Sequence, residues 1–78
     1  MRYELSKDDE KRLRDWHFSA PDADQPERFE AINNATRTVA KLVMEACPPT
    51  RQRSLALTAL EETRMWANSA IAQENKGL

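Results

Sequence analysis

Two consecutive prolines interrupt the chain between its two longest periodic segments. Pro48 and Pro49 follow Cys47 and precede Thr50. Proline cannot donate a backbone hydrogen bond, and it disfavours helical angles in the residue before it. One helix must therefore end before this pair, and another can begin after it. Because the connector is so short, the helices on its two sides are expected to be antiparallel neighbours, an αα-hairpin.

The segment 25–47 has the periodicity of an amphipathic helix. Asp24 is a suitable N-cap, and Pro26 suits the first turn. Apolar residues recur at steps of mostly three and four, which predicts a single apolar face. These residues are Phe29, Ile32, Ala35, Val39, Ala40, Leu42, Val43 and Ala46. Thr36 lies on the same face, where its hydroxyl can donate to the carbonyl of Ile32.

The segment 50–73 is predicted to be a helix with more apolar surface than a hairpin can bury. One stripe contains Leu55, Ala59, Met65 or Trp66, and Ala70, and a second contains Leu57, Leu60, Ala67 and Ile71. A helix that is apolar on two sides packs against two partners. The second partner is either a short N-terminal helix, in a wider three-helix core, or another copy of the chain. Asn68 either makes a polar contact across an interface between copies or faces solvent.

The N-terminal segment 1–16 is predicted to be a short helix or an arm. Ser6 is a suitable N-cap, the residues after it are acidic, and later residues are basic, an order that suits the helix dipole. Leu13 and Trp16 are the strong apolar residues of the predicted helix. They are too few to cover the extra face of the last helix, so self-association is the favoured interpretation.

The expected architecture is all-α and forms one domain over 1–78. In chain order its parts are a short N-terminal helix or arm (1–16), a loop (17–24), a long helix (25–47), a second long helix (50–73) and a frayed tail (74–78). A single core in a chain this small rarely supplies more than about 3–5 kcal/mol. Assembly into a homo-oligomer is therefore expected to add the missing burial.

Composition excludes several kinds of site. With one glycine in 78 residues, the chain has no glycine-rich phosphate loop or dinucleotide-binding turn. One cysteine and one histidine exclude an internal disulfide and zinc sites built from several such ligands. The net charge of −1 offers no polybasic surface, so DNA, RNA and membranes are not expected partners. The charged N-terminal residues lack the apolar core of a signal peptide, so a cytoplasmic location is expected.

No set of residues predicts catalysis or a metal site. His17 is the sole histidine and Cys47 the sole cysteine. Cys47 stands at a helix end, where a small apolar residue is equally suitable. Glu61 and Glu62 are adjacent on a helix and so point to different sides. Because no nucleophile, base and orienting group can be combined, the chain is expected not to be an enzyme and to need no cofactor.

The start of the last helix is a candidate anion site. Its free N–H groups and the positive end of its dipole follow the prolines. Arg51 and Arg53 lie in the first turn, and Thr50, Ser54 and Thr58 add hydroxyl groups. Such a combination can hold a phosphate. The alternative is that the hydroxyl residues cap the helix and the arginines are solvated.

Three ring side chains precede the loop before the first long helix. They are Trp16, His17 and Phe18. A ring beside a loop can stack on a nucleobase, which contributes about 1–3 kcal/mol per base in proteins that bind single strands. The favoured alternative from the residues is that Trp16 and Phe18 cover the open end of the hairpin as a lid on its core.

Four runs of the sequence resemble the phage hairpin-domain family of anti-CBASS and anti-Thoeris proteins. They are DQPERFEAI at 24–32, CPP at 47–49, RSLALTALEE at 53–62 and MWANSAIA at 65–72. The resemblance covers about 16–73, whereas 1–15 has no evident counterpart. It implies a small helical protein that assembles into compact oligomers, typically hexamers. It also implies a sponge that binds cyclic dinucleotide, and in some members cyclic trinucleotide, immune signals without hydrolysing them.

The resemblance also implies particular ligand-binding residues. The family places a stacking aromatic shortly before the loop proline, and here Phe18 or His17 has that place. Where the family commonly has a basic residue after the isoleucine, this chain has Asn33, and Arg37 one turn later can substitute for the charge. For a trinucleotide pocket, the nearest candidates on the last helix are Arg53, Ser54 and Thr58.

Two other functions are compatible with a helical hairpin. A protein-interaction module would use the apolar last helix to bind another protein, and would self-associate without affinity for nucleotides. A small DNA-binding regulator would normally carry a basic stripe, but the 12 basic residues here do not exceed the 13 acidic ones. The composition therefore disfavours the regulator and leaves the interaction module open.

Overall fold

The computed structural model describes residues 2–14, 16 and 25–73. In these residues the chain is helical, with α1 over Lys7–Arg14, α2 over Pro26–Ala46 and α3 over Arg51–Gln73. The ranges contain no β-strand, and none of their helices is both long and apolar enough to span a membrane. The prediction of an all-α hairpin preceded by a short helix is confirmed. The predicted loop 17–24, with His17 and Phe18, and the tail 74–78 lie outside the described residues.

Helix α1 begins with a reciprocal cap. The backbone N–H of Asp9 donates to Oγ of Ser6 at 3.1 Å, and the N–H of Ser6 donates to Oδ2 of Asp9 at 3.3 Å. Two of the N–H groups that a helix start leaves unpaired are thereby satisfied. The cap that the sequence predicted at Ser6 is confirmed, and the N-terminal segment contains a helix instead of being only an arm.

Helix α2 has Gln25 as its N-cap, and Asp24, which was predicted for that position, lies outside the described residues. Pro26 occupies the first turn, as predicted, and the Gln25 side chain makes no capping hydrogen bond. Cys47 ends the helix in an extended conformation, with φ −116° and ψ 141°, while its N–H still donates to the carbonyl of Val43. Pro48 requires this change of backbone angles in the residue before it.

Helices α2 and α3 pack along their length as an antiparallel hairpin. Thr50 caps α3, since its Oγ1 accepts from the N–H of Arg53 at 3.3 Å. Arg53 Nη1 donates to the carbonyl of Met44 at 2.8 Å, which joins the end of α2 to the start of α3. Gln25 Nε2 donates to the carbonyl of Ile71 at 2.6 Å, which joins the opposite ends. We call the region around Met44, the connector and Arg53 the closed end, and the part containing residues 25–36 and 64–73 the open half.

The core lies between all three helices. Its buried residues are Leu13, Trp16, Ala40, Met44 and Leu57, with Leu5, Val43 and Leu60 packed against them. Leu13 belongs to α1 and Trp16 follows it, so α1 does widen the hairpin core. It packs mainly on α2 and leaves the outer side of α3 uncovered.

The predicted apolar face of α2 is buried along only one of its edges. Phe29, Thr36, Ala40 and Met44 are buried. The outer part of the predicted face is exposed and comprises Ala35, Val39, Leu42 and Ala46. The predicted positions cover a wider arc of the helix than the neighbouring elements can bury. We call these four residues the outer stripe of α2.

The two predicted stripes of α3 are confirmed as different sides of the helix. Leu57 is buried, with Leu60, Ala67 and Ile71 partly buried beside it. On the other side the outer stripe of α3 comprises Leu55, Ala59, Trp66 and Ala70, all exposed. Trp66 retains 66% of its accessible surface. Large hydrophobic side chains that are exposed together often mark a surface that binds another protein chain.

Candidate functional site

Arg53 lies in a largely buried ion pair at the closed end. Its Nη2 is 3.0 Å from Oδ1 and 3.1 Å from Oδ2 of Asp9, and its Nη1 donates to the carbonyl of Met44. Each charged side chain retains only 10% of its exposure. The carboxylate of Asp9 compensates for a positive charge near the positive end of the α3 dipole. In the protomer, both terminal nitrogens of Arg53 are thus used to join α1, α2 and α3.

The predicted residues Arg53, Ser54 and Thr58 differ in their exposure. Ser54 and Thr58 are exposed. Thr58 Oγ1 lies 3.5 Å from Nη2 of Arg12, a long contact that accompanies the ion pair between Arg12 and Glu61. These contacts give Thr58 and Glu61 a structural role between α1 and α3. Ligand binding by this set stays a prediction.

Asn33 and Arg37 lie together on α2, one turn apart. Asn33 Nδ2 donates to the carbonyl of Trp16 at 3.1 Å, and Arg37 Nε donates to the carbonyl of Leu13 at 3.3 Å. These carbonyls stand at and just beyond the end of α1, where backbone acceptors lack partners within the helix. The two predicted residues therefore hold the chain immediately before His17 and Phe18, which lie outside the described residues.

Trp16 is a core residue that also makes a polar contact. It is 3% exposed, and its Nε1 donates to Oγ1 of Thr36 at 2.9 Å. The Thr36 hydroxyl donates in turn to the carbonyl of Ile32 at 2.8 Å, as predicted. The guanidinium of Arg64 lies 5.3 Å from the centre of the Trp16 ring, within the range of a cation–π contact. For Trp16, the interpretation as part of the core is confirmed.

Asn33 and Arg53 lie far apart in one protomer. Asn33 precedes Met44, the residue that Arg53 contacts, by eleven positions, which corresponds to about 16 Å along a helix. Asn33 and Arg53 are therefore too far apart to contact the same phosphate group within one protomer. No group of three or more potential metal-ligating side chains occurs in the part of the chain that the structure describes.

Three amide side chains in the open half have buried oxygen atoms, and of these residues only Asn33 was predicted as a site residue. Gln25 is 1% exposed and Asn68 4% exposed, and Asn33 is partly buried. Among the described residues, no donor pairs with Oε1 of Gln25 or with Oδ1 of Asn33 and Asn68. In the sequence, Asn68 is a polar residue among apolar neighbours, and it was predicted to lie at an interface between copies or in solvent. In the structure it is buried inside the hairpin of one protomer. We call Gln25, Asn33 and Asn68 the open-half amides.

The comparison with protein families decides the relationship of this chain. The model of the Acb2/Tad1 hairpin domain matches residues 7–72. The chain belongs to the Acb2/Tad1 hairpin-domain family. The match begins at Lys7 and so includes α1, which the motif resemblance from Trp16 onward did not. Searches among curated proteins and among solved structures gave no match.

Proposed function

We propose that this Acb2/Tad1 hairpin protein binds and sequesters cyclic oligonucleotide signals of bacterial anti-phage immunity without cleaving them. Family membership carries this proposal, because the matched residues 7–72 comprise nearly all of the described chain. Cyclic dinucleotides are the primary ligands, and cyclic trinucleotides are candidates for a second pocket. The protein acts as an antagonist of CBASS-type signalling, in the cytoplasm of the infected cell.

The dinucleotide pocket is proposed to lie beside Asn33 and Arg37. Both side chains hold the backbone just before His17 and Phe18, the residues proposed to stack on a base. Arg37 is exposed and brings a positive charge to this place. A guanidinium forms charge-assisted hydrogen bonds with phosphate oxygens. The amide of Asn33 lacks a charge, so Arg37 supplies the attraction for the ligand phosphates.

The pocket is proposed to be completed by other copies of the chain in a hexamer. The outer stripes of α2 and α3 expose Val39 and Leu42 on one helix and Leu55 and Trp66 on the other, each at 45% or more. Burial of such surface stabilises association by about 25 cal/mol per Å² before entropic costs. An assembly also brings arginines from several copies around one small anion, which the overall charge of −1 would not otherwise favour.

The outer stripes also support a second candidate function. A protein-interaction module would use the same exposed side chains, such as Trp66, to bind a different protein. It would have no affinity for cyclic nucleotides. The two functions therefore differ in a property that can be measured directly.

Calorimetric titration with a panel of cyclic dinucleotides and trinucleotides tests the proposal. We expect saturable, stoichiometric binding, and we expect the ligand to be recovered intact after the protein is denatured. Light scattering on the same sample should give six times the chain mass of 9.0 kDa. Absence of binding across the panel, with self-association retained, would favour the interaction module, and a linear nucleotide product would reveal an enzyme.

A matched pair of charge removals tests the position of the pocket. Arg37→Ala should weaken cyclic dinucleotide binding by about tenfold or more, the effect of losing a hydrogen bond to a charged group. Lys41→Ala removes an equally exposed cation one turn further along α2 and should leave the affinity within about twofold of the wild-type value. Equal losses in both variants would indicate general electrostatic attraction in place of a defined phosphate contact.

A further inference from the structure

The open-half amides keep acceptor atoms without donors in the interior of the hairpin. Gln25 is 1% and Asn68 4% exposed, and their amide oxygens have no donor among the described residues. Gln25 at least uses its Nε2 on the carbonyl of Ile71. A buried polar atom left unpaired destabilises the folded protein. Leucine, of similar size, would avoid that cost at Asn68.

Asn68 occupies the centre of the buried side of α3. It stands four residues after Arg64, which lies over the Trp16 ring, and three residues before Ile71, whose carbonyl accepts from Gln25. Residues at these spacings share one face of a helix. Asn68 therefore lies in the same seam between α2 and α3 as the other two open-half amides, within about two turns of the end of α3. Helix ends open locally at low free-energy cost, which gives a ligand access to the seam.

The unpaired oxygens of the open-half amides define the kind of group that can bind to these amides. All three are carbonyl oxygens of amides, which accept hydrogen bonds and do not donate them. They repel the oxygens of a phosphate and attract N–H groups. In a cyclic nucleotide, the N–H groups belong to the bases, such as the exocyclic amine of adenine.

We infer that Asn68 is a specificity-determining residue that accepts a hydrogen bond from an N–H group of a ligand base. The inference rests on the proposed function and adds to it a preference for bases whose recognised edge bears an amine. Gln25 and Asn33 provide further acceptors along the same seam. The unpaired oxygen of Asn68 is the acceptor that the ligand satisfies, so its cost in the unliganded protein is offset on binding.

The experiment compares cyclic di-AMP with an analogue in which both adenines are replaced by purine, which lacks the amine. Wild-type protein should bind cyclic di-AMP about tenfold more tightly than the analogue, the upper effect of one neutral hydrogen bond. Asn68→Leu should bind the two ligands equally. It should also unfold at the same or a higher urea concentration than the wild type, because it removes an unpaired buried amide. Asn34→Leu, at an exposed position of α2, is the control and should keep the wild-type preference.

Each outcome decides the inference. A wild-type preference that persists in Asn68→Leu overturns it, and so does a wild type that binds both ligands equally, which would leave an internal water as the partner of Asn68. If the wild type binds no cyclic nucleotide in the panel, the proposed function fails as well. Asn68→Ala cannot overpack the seam and provides the same comparison if the leucine variant does not fold.

Discussion

The closed end and the open half of the hairpin differ in whether their buried polar groups have hydrogen-bond partners. At the closed end, three carbonyl groups in the last turn of α2 accept hydrogen bonds from three different residues. Cys47 N–H donates to Val43, Arg53 donates to Met44, and the N–H of Tyr3 donates to Glu45 at 2.9 Å. In the open half, the three open-half amides retain oxygens without a donor among the described residues.

The difference indicates which part of the molecule is specialised for stability. Buried polar groups in folded proteins are nearly all paired, because an unpaired one costs free energy. The closed end follows that rule even though it buries the charges of Asp9 and Arg53. The open half departs from it at Gln25, Asn33 and Asn68, as functional sites often do. The predictions below test this comparison in order of decreasing effect.

Arg53→Met should cause the largest loss of stability. It leaves the carboxylate of Asp9, 10% exposed, without its cation, and it leaves the carbonyl of Met44 without its donor. Breaking a buried ion pair by removing one partner costs about 3–5 kcal/mol. Urea unfolding of the two proteins measures the difference. Arg51→Met, an exposed change two positions earlier, should alter the free energy of unfolding by less than about 0.5 kcal/mol.

The same pair permits a stricter version of that test. The double variant Asp9→Leu with Arg53→Met removes both charges together. Because apolar replacement of a whole buried ion pair is often close to neutral, it should recover much of the stability that Arg53→Met loses. A double variant as unstable as the single one would indicate that the hydrogen bonds to Ser6 and Met44, and not the ion pair, hold the closed end together.

Trp16→Phe should have an intermediate effect, at the boundary between the two regions. It keeps an aromatic ring in the core and removes the N–H that donates to Thr36. A neutral hydrogen bond contributes about 0.5–1.5 kcal/mol. A double-mutant cycle with Thr36→Val, read by urea unfolding, should give a coupling energy of about 1 kcal/mol. A coupling near zero would mean that burial of the ring, without the hydrogen bond, positions Trp16.

Local features of the structure could be predicted from the sequence. The hairpin, the cap at Ser6 and the hydrogen bond from Thr36 to Ile32 each depend on residues within four positions of one another. Helix periodicity and proline chemistry act over such distances. The exposed outer stripe of α3 was also predictable, because a helix with two apolar sides exceeds what one neighbour can cover.

Tertiary pairings could not be predicted in the same way. Asp9 and Arg53 are 44 positions apart, and 12 basic and 13 acidic residues allow many alternative pairs. Arg53 therefore resembled a phosphate ligand at a helix start, while the structure uses it as a connector of three helices. The apolar residues of α2 were similarly ambiguous, since only the position of α1 and α3 determines which part of a wide face is buried. The burial of Asn68 follows from the same packing.

Gln25→Leu should have the smallest effect, and it distinguishes the two regions most directly. The change leaves the carbonyl of Ile71 without this donor, a loss of about 1–3 kcal/mol. It also removes the unpaired buried oxygen of Gln25, a gain of about 1–3 kcal/mol. The two terms nearly cancel, so the free energy of unfolding should change by no more than about 1 kcal/mol in either direction.

Gln52→Leu, an exposed change on α3 at the closed end, controls for the effect of leucine itself. If Gln25→Leu lowers the free energy of unfolding as much as Arg53→Met does, the open half contributes to stability as strongly as the closed end. The unpaired amide oxygens would then not mark the open half as a region specialised for binding.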